Sequence, residues 1–200
     1  FANSGTAGYV ALSNSAGTKV TTVDKFAFPG DGRSTLGTGL SSARSSAVGF
    51  ANSGTAGYAA GGYATARVDT VDKFAFSDDS RTTLGTGLPA ARSTAAGFAN
   101  SGTAGYVGGG FAPGMVDSVV KLTFSTDGIA TLGTGLSAAR YGMAGFANSG
   151  VSGYFAGGSD GSILATVDEF AFSDDSRTTL GTGLATATRY GVGFANSESL

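Results

Sequence analysis

Short apolar runs alternate along this chain with glycine, serine, asparagine and aspartate, and no stretch carries the i, i+3, i+4 spacing of an amphipathic helix. Between residues 55 and 99 the pattern predicts four strands, at 55–60, 70–76, 82–88 and 95–99. In the second of these, Phe74 and Phe76 lie two apart and share a face, while Lys73 and Ala75 point the other way. The phenylalanines are therefore core, and the same argument buries Phe26, Phe28, Phe124, Phe170 and Phe172. Ser77, Asp78, Asp79 and Ser80 are turn formers suited to a hairpin, as are Ser173 to Ser176. Asn100, Ser101 and Gly102 read as a tight passage from one sheet to the next. Alanine, glycine, valine and phenylalanine occupy both odd and even strand positions, so both faces of each sheet must be covered.

The same pattern recurs down the chain. FANSGTAGY at Phe1 to Tyr9 returns from Phe50 and Phe98, becomes FANSGVSGY from Phe146, and closes as FANS from Phe194, a period of about 48 residues. VDKFAF at Val23 recurs at Val71, as VVKLTF at Val119 and as VDEFAF at Val167, and TLGTGL recurs at Thr35, Thr83, Thr131 and Thr179. Three independent markers keep one register. The chain reads as one repeat domain over 1–200, with repeats 1–49, 50–97, 98–145 and 146–193 and a C-terminal stub 194–200. Sequence drifts after the repeated tyrosine (11–22, 60–70, 108–118, 156–166) and before the next FANS, where Arg189 falls one position late, so these are loops.

Sheets that cannot bury their faces alone are stacked by propellers and solenoids. The predicted fold is all-β, a β-propeller-like array of four-stranded antiparallel blades, with an open β-repeat stack or solenoid as the alternative. The chain also resembles a kelch repeat: a hydrophobic strand ends in a glycine pair (Tyr58 to Gly62, Tyr106 to Gly110, Tyr154 to Gly158), an aromatic precedes a polar turn, and a third strand ends near an arginine. It departs from that family in lacking tryptophan, with Leu84, Leu132 and Leu180 near its place, and in having Ala11 and Leu12 where the first glycine pair would fall. The resemblance implies the propeller architecture and no particular partner. The family's rings generally have more than four blades, so further blades are expected from sequence outside these residues or from a second copy of the chain.

Composition narrows the function. Hydrophobic residues make up 41%, enough for a core, and 35 glycines against 3 prolines favour strands and tight turns. A net charge of -2 with 12 scattered basic residues offers nothing to a polyanion, so nucleic acid is not an expected partner. Cysteine and histidine are absent, which removes disulfides, thiolate nucleophiles, zinc and haem ligation and the usual general base; no cofactor or metal site is expected. No apolar run approaches the roughly 20 residues that span a bilayer. Phe1 to Gly5 form neither a start methionine nor a signal peptide, which predicts a mature or excised segment.

Arg44, Arg92, Arg140 and Arg189 are the candidate binding residues. Each follows a GTGL block, so symmetry places them in a ring that could hold a carboxylate, sulfate or sugar acid. The competing reading is that each arginine ties neighbouring blades together through the equally regular Asp24, Asp72 and Asp168. The acids Asp78, Asp79, Asp174, Asp175, Asp31 and Asp127 lack the spacing of a calcium loop and read as turns. Tyr9, Tyr58, Tyr106 and Tyr154 are core aromatics before they are a sugar-stacking surface. No nucleophile motif or phosphate loop is present, so no catalytic residue is assigned and the chain is not expected to be an enzyme. The expected function is a non-catalytic binding or structural module, extracellular or at a virion or cell surface, for adhesion or protein assembly. Its partner would be a protein or further copies of the same chain. A carbohydrate-binding, lectin-like propeller with a glycan partner is the first alternative, and a hydrolase or lyase on the same scaffold the second.

Overall fold

A computed structural model describes residues 1–11 and 18–195, so Leu12 and the end of the stub lie outside the described residues. Among the described residues sixteen short strands form four sheets. The first holds β1 (Ala2–Asn3), β2 (Ala7–Ala11), β3 (Val23–Ala27) and β4 (Arg33–Thr35); the second holds β5 (Val48–Asn52), β6 (Ala56–Ala60), β7 (Val71–Ala75) and β8 (Arg81–Thr83). The third holds β9 (Ala96–Asn100), β10 (Ala104–Gly108), β11 (Val119–Thr123) and β12 (Gly128–Thr131), and the fourth β13 (Ala144–Asn148), β14 (Ser152–Ala156), β15 (Val167–Ala171) and β16 (Arg177–Thr179). Each sheet is an antiparallel meander in chain order. Phe50 pairs with Tyr58, Tyr58 with Lys73, and Phe74 with Arg81, so alternate side chains face the two neighbouring sheets.

Three expectations need correction. The FAN strand belongs to the sheet that follows it, because the turn at Asn52 to Gly54 is a hairpin closed by the Thr55 amide on the Asn52 carbonyl at 3.0 Å. Asn100, Ser101 and Gly102 accordingly turn a hairpin within the third sheet instead of passing between sheets. The strand predicted over 82–88 is confined to Arg81–Thr83, after which the chain bends through Leu84 to Leu88. Finally, Phe74 and Phe170 are fully buried and Phe124 nearly so, but Phe26 and Phe28 are 36% and 45% exposed. Phe76 and Phe172 are half-buried.

The burial difference has one cause, the stacking of the sheets. Phe76 stacks on Tyr9 of the preceding sheet at 5.2 Å, Phe124 on Tyr58 at 5.3 Å and Phe172 on Tyr106 at 5.4 Å. The core is therefore three layers, one at each junction between successive sheets. Phe26 and Phe28 lie on the outward face of the first sheet, which no sheet of the described residues covers. Among the described residues no hydrogen bond or aromatic pair joins the first sheet to the fourth.

The innermost strands lie side by side, β1 with β5, β5 with β9 and β9 with β13. Glycine allows this approach: a Cβ on Gly145 would sit 2.4 Å from the carbonyl oxygen of Gly97. The glycine pairs have a similar origin. Gly61 and Gly62 both take positive φ, and the Gly62 amide reaches the Arg92 carbonyl at 2.8 Å, a path any side chain on Gly61 would block.

Candidate functional site

Two polar networks recur at the sheet junctions, and they use most of the repeated charged residues. The deeper one joins an arginine to the aspartate of the next repeat. Arg44 Nη2 donates to the Asp72 carboxylate at 2.9 Å and to the Ala59 carbonyl at 3.2 Å, with both charged side chains fully buried. The same carboxylate oxygen accepts the Ser41 amide and hydroxyl at 2.8 and 2.9 Å, and the other accepts the Thr83 hydroxyl at 2.7 Å. Arg140 repeats the arrangement with Asp168 at 3.0 Å, supported by Ser137 and Thr179.

Arg92 faces Val120 at the aspartate position of the third sheet. Its guanidinium donates instead to the carbonyls of Gly109 and Ser118 at 3.4 and 3.1 Å and to the Ser118 hydroxyl at 3.1 Å. Burial pushes its pKa down, and no carboxylate opposes that. Arg189, which has no following sheet, is exposed and donates to the Tyr141 hydroxyl at 3.0 Å. Three of the four candidate arginines are thus buried at equivalent junctions, and an anion reaching Arg44 or Arg140 would have to displace a buried carboxylate.

Burial pushes the Asp72 and Asp168 carboxyls up. The serine amides, the threonine hydroxyls and the paired arginine together outweigh it and hold both below the ordinary 3.8. A carboxyl whose native pKa is depressed stabilises the fold fully above its unfolded pKa and loses that contribution as pH falls through the native value. Thermal stability should therefore hold from neutral pH to about pH 4 and fall steadily below it, most steeply for the two junctions with buried pairs. Melting curves measured between pH 7 and pH 2 check this, and a midpoint that stays flat below pH 4 would refute it.

The second network lies nearer the rim and was not legible as a site from sequence. Tyr9 and Lys25 both donate to Asp79 at 2.7 Å, across the first junction. Tyr58 and Lys73 do the same to Asp127 at 3.3 and 2.8 Å, and Tyr106 and Lys121 to Asp175 at 2.7 Å each. Each aspartate sits at positive φ in the hairpin turn of the following sheet. Burial, then the neighbouring carboxylate, raises the pKa of Tyr58 and Tyr106, so both keep their protons and donate them. The available signal was the fixed phase of lysine and aspartate in the repeat, six residues apart within a copy.

The FANSG turns form a third ladder. The side-chain carbonyls of Asn3, Asn52 and Asn100 accept the amides of Gly54, Gly102 and Gly150 at 2.8–2.9 Å, each from the next sheet. The amides of Ser4, Ser53 and Ser101 donate to the hydroxyls of Ser53, Ser101 and Ser149. These serines surround a central funnel of about 490 Å³ that all four sheets and Phe194 line. Among the described residues no group of three or more Asp or Glu is placed to hold a metal ion. No helix of the described residues is long and apolar enough to cross a membrane.

No protein-family model matches this chain, and no curated protein matches it. Solved structures do. One described as the structure of YjhT superposes with a TM-score of 0.73 at 15% identity, over 89% of this chain and 63% of that one. The chain thus spans about 63% of that protein's length, and at this identity the likeness concerns the fold alone. The described residues form an all-β array of four four-stranded antiparallel sheets in a propeller-like arrangement.

Proposed function

We propose that the chain is a kelch-like, non-catalytic binding or structural module, displayed outside the cell or on a virion or cell surface, where it serves adhesion or protein assembly. One observation supports this most: Arg44, Arg140 and the lysines Lys25, Lys73 and Lys121 bond aspartates across sheet junctions, so these repeated charges are used in holding the sheets together. Surface display is supported by the abundance of glycine, serine and threonine, the scarcity of lysine and the near-identity of the copies. The faces left uncovered at either end of the array are where a protein partner would sit.

A carbohydrate-binding role is the second reading, supported by the serine-lined funnel beside the 89% exposed Phe194. Beads coated with the chain should adhere to a protein-coated surface, and free sugars at millimolar concentration should not compete. Saturable binding on a glycan array, or competition by a sugar, would replace the first reading with the second.

A further inference from the structure

The outward face of the fourth sheet differs from the three faces that precede it in one residue that decides what can cover it. At each of the three internal junctions a tyrosine and a lysine present donors to an aspartate in the incoming turn. At the fourth position the lysine is replaced by Glu169, and the Tyr154 hydroxyl donates to Glu169 itself at 3.1 Å while accepting from Ser152. This face therefore offers carboxylate acceptors where the others offer an ammonium. Ser152, in place of the alanine of the other three repeats, is the only other polar change on the tyrosine strand of this face, and the aromatic stack is kept. Phe146 and Tyr154 stack at 5.1 Å as Phe50 and Tyr58 do, but are only half-buried, and Arg189 stands exposed at the arginine position.

The inner edge of the missing neighbour is already marked out. The Tyr190 amide reaches the Gly142 carbonyl at 2.6 Å, continuing the ladder in which Gly142 reaches Thr94 and Thr94 reaches Ser46. Gly193 abuts the Gly145 carbonyl as Gly145 abuts that of Gly97, and Val192 and Phe194 are 87% and 89% exposed. Residues 191–195 thus lie where the first strand of a fifth sheet belongs.

A second copy of this chain is a poor occupant. Its first sheet would bring Asp31, exposed and at the positive φ shared by Asp79, Asp127 and Asp175, against Glu169. Two carboxylates would then meet where the internal junctions hold an ion pair. Its Phe1 would also need the place that Phe194 holds.

We propose that the fourth sheet's face is a docking surface for one further β-sheet of this repeat type, built onto residues 191–195, and that Glu169 selects a sheet bearing lysine or arginine where the internal turns bear aspartate. Its third strand would carry an aspartate for Arg189, and an aromatic after that strand would cover Phe146 and Tyr154. This rests on the assembly reading above, and glycan binding leaves it untouched.

The test extends the full chain in cis. Residues 196–200 are replaced by a copy of 52–92, which supplies three further strands, with either aspartate or lysine at the position copied from Asp79. The lysine form should protect the Tyr154 amide from hydrogen exchange about tenfold more than the aspartate form. Glu169→Lys, which restores the residue found in the other three repeats, should reverse that order. The unextended chain should be monomeric by light scattering. Equal protection in both forms, protection in neither, no reversal in Glu169→Lys, or dimers of the unextended chain would each overturn the proposal.

Discussion

Replacing Arg140 with methionine should destabilise the protein by about 3–5 kcal/mol, because it strands the Asp168 carboxylate in a fully buried site. The aspartate would keep its serine and threonine donors and the partly exposed Arg177 at 3.5 Å, but lose its one buried counter-charge. Arg189→Met, at the same repeat position but exposed, should change stability by no more than about 0.5 kcal/mol. Removing both charges with Arg140→Met and Asp168→Leu should recover much of the loss, since a buried pair is costly to break and far less costly to replace with apolar groups. Urea denaturation of the three variants decides the matter. If Arg140→Met costs no more than Arg189→Met, the buried junction does not hold the sheets together.

Phe74→Ala is expected to cost about 3–5 kcal/mol through loss of transfer energy and the cavity left between the first and second sheets. Phe26→Ala occupies the same letter of the repeat, yet should cost less than about 1 kcal/mol, because its ring lies on the uncovered face of the first sheet and remains partly in water. The two substitutions are chemically identical, so the difference in their denaturation midpoints reads the neighbouring sheet directly. Equal losses would mean that the first sheet's outward face is covered in solution.

That contrast also shows where sequence reasoning stopped. Period-two alternation identified the Phe74 strand and β6 to within a residue, and the turn chemistry at Asp78 and Asp79 placed a hairpin correctly, but the strand after that hairpin ends at Thr83, five residues short of the predicted 88. Burial of a given repeat letter is different, since it depends on whether another sheet lies opposite, and local alternation carries no information about that. The same limit explains the FAN strand. A periodic string can be cut anywhere, and only the hydrogen bonds between β5 and β6 assign Phe50 to the sheet that follows.

The arginines were legible as a regular set, and so was their link to Asp72 and Asp168, whereas Asp24, expected to act likewise, bonds Arg33 and Thr35 of its own sheet. What sequence left open was direction. Arg140 pairs forward with Asp168, so the aspartate missing at Val120 is a loss for Arg92 and not for Arg140. The lysine and aspartate of the rim network lie six residues apart within a copy, but they bond across copies, about 54 residues apart. Proximity along the chain gave no clue to that pairing.

Val120 has a consequence for how the array comes apart. The junction between the second and third sheets buries no carboxylate, and its inner contacts are Val120, Leu122 and Phe124 against Phe50 and Tyr58, with Arg92 held by backbone carbonyls. Acid protonates Asp72 and Asp168 at the two flanking junctions and finds no buried group to titrate between the second and third sheets, whose rim pair of Lys73 and Asp127 is part-exposed and weak. Falling pH should therefore peel the outer sheets from a central two-sheet kernel, and the protein would lose its ends before its middle.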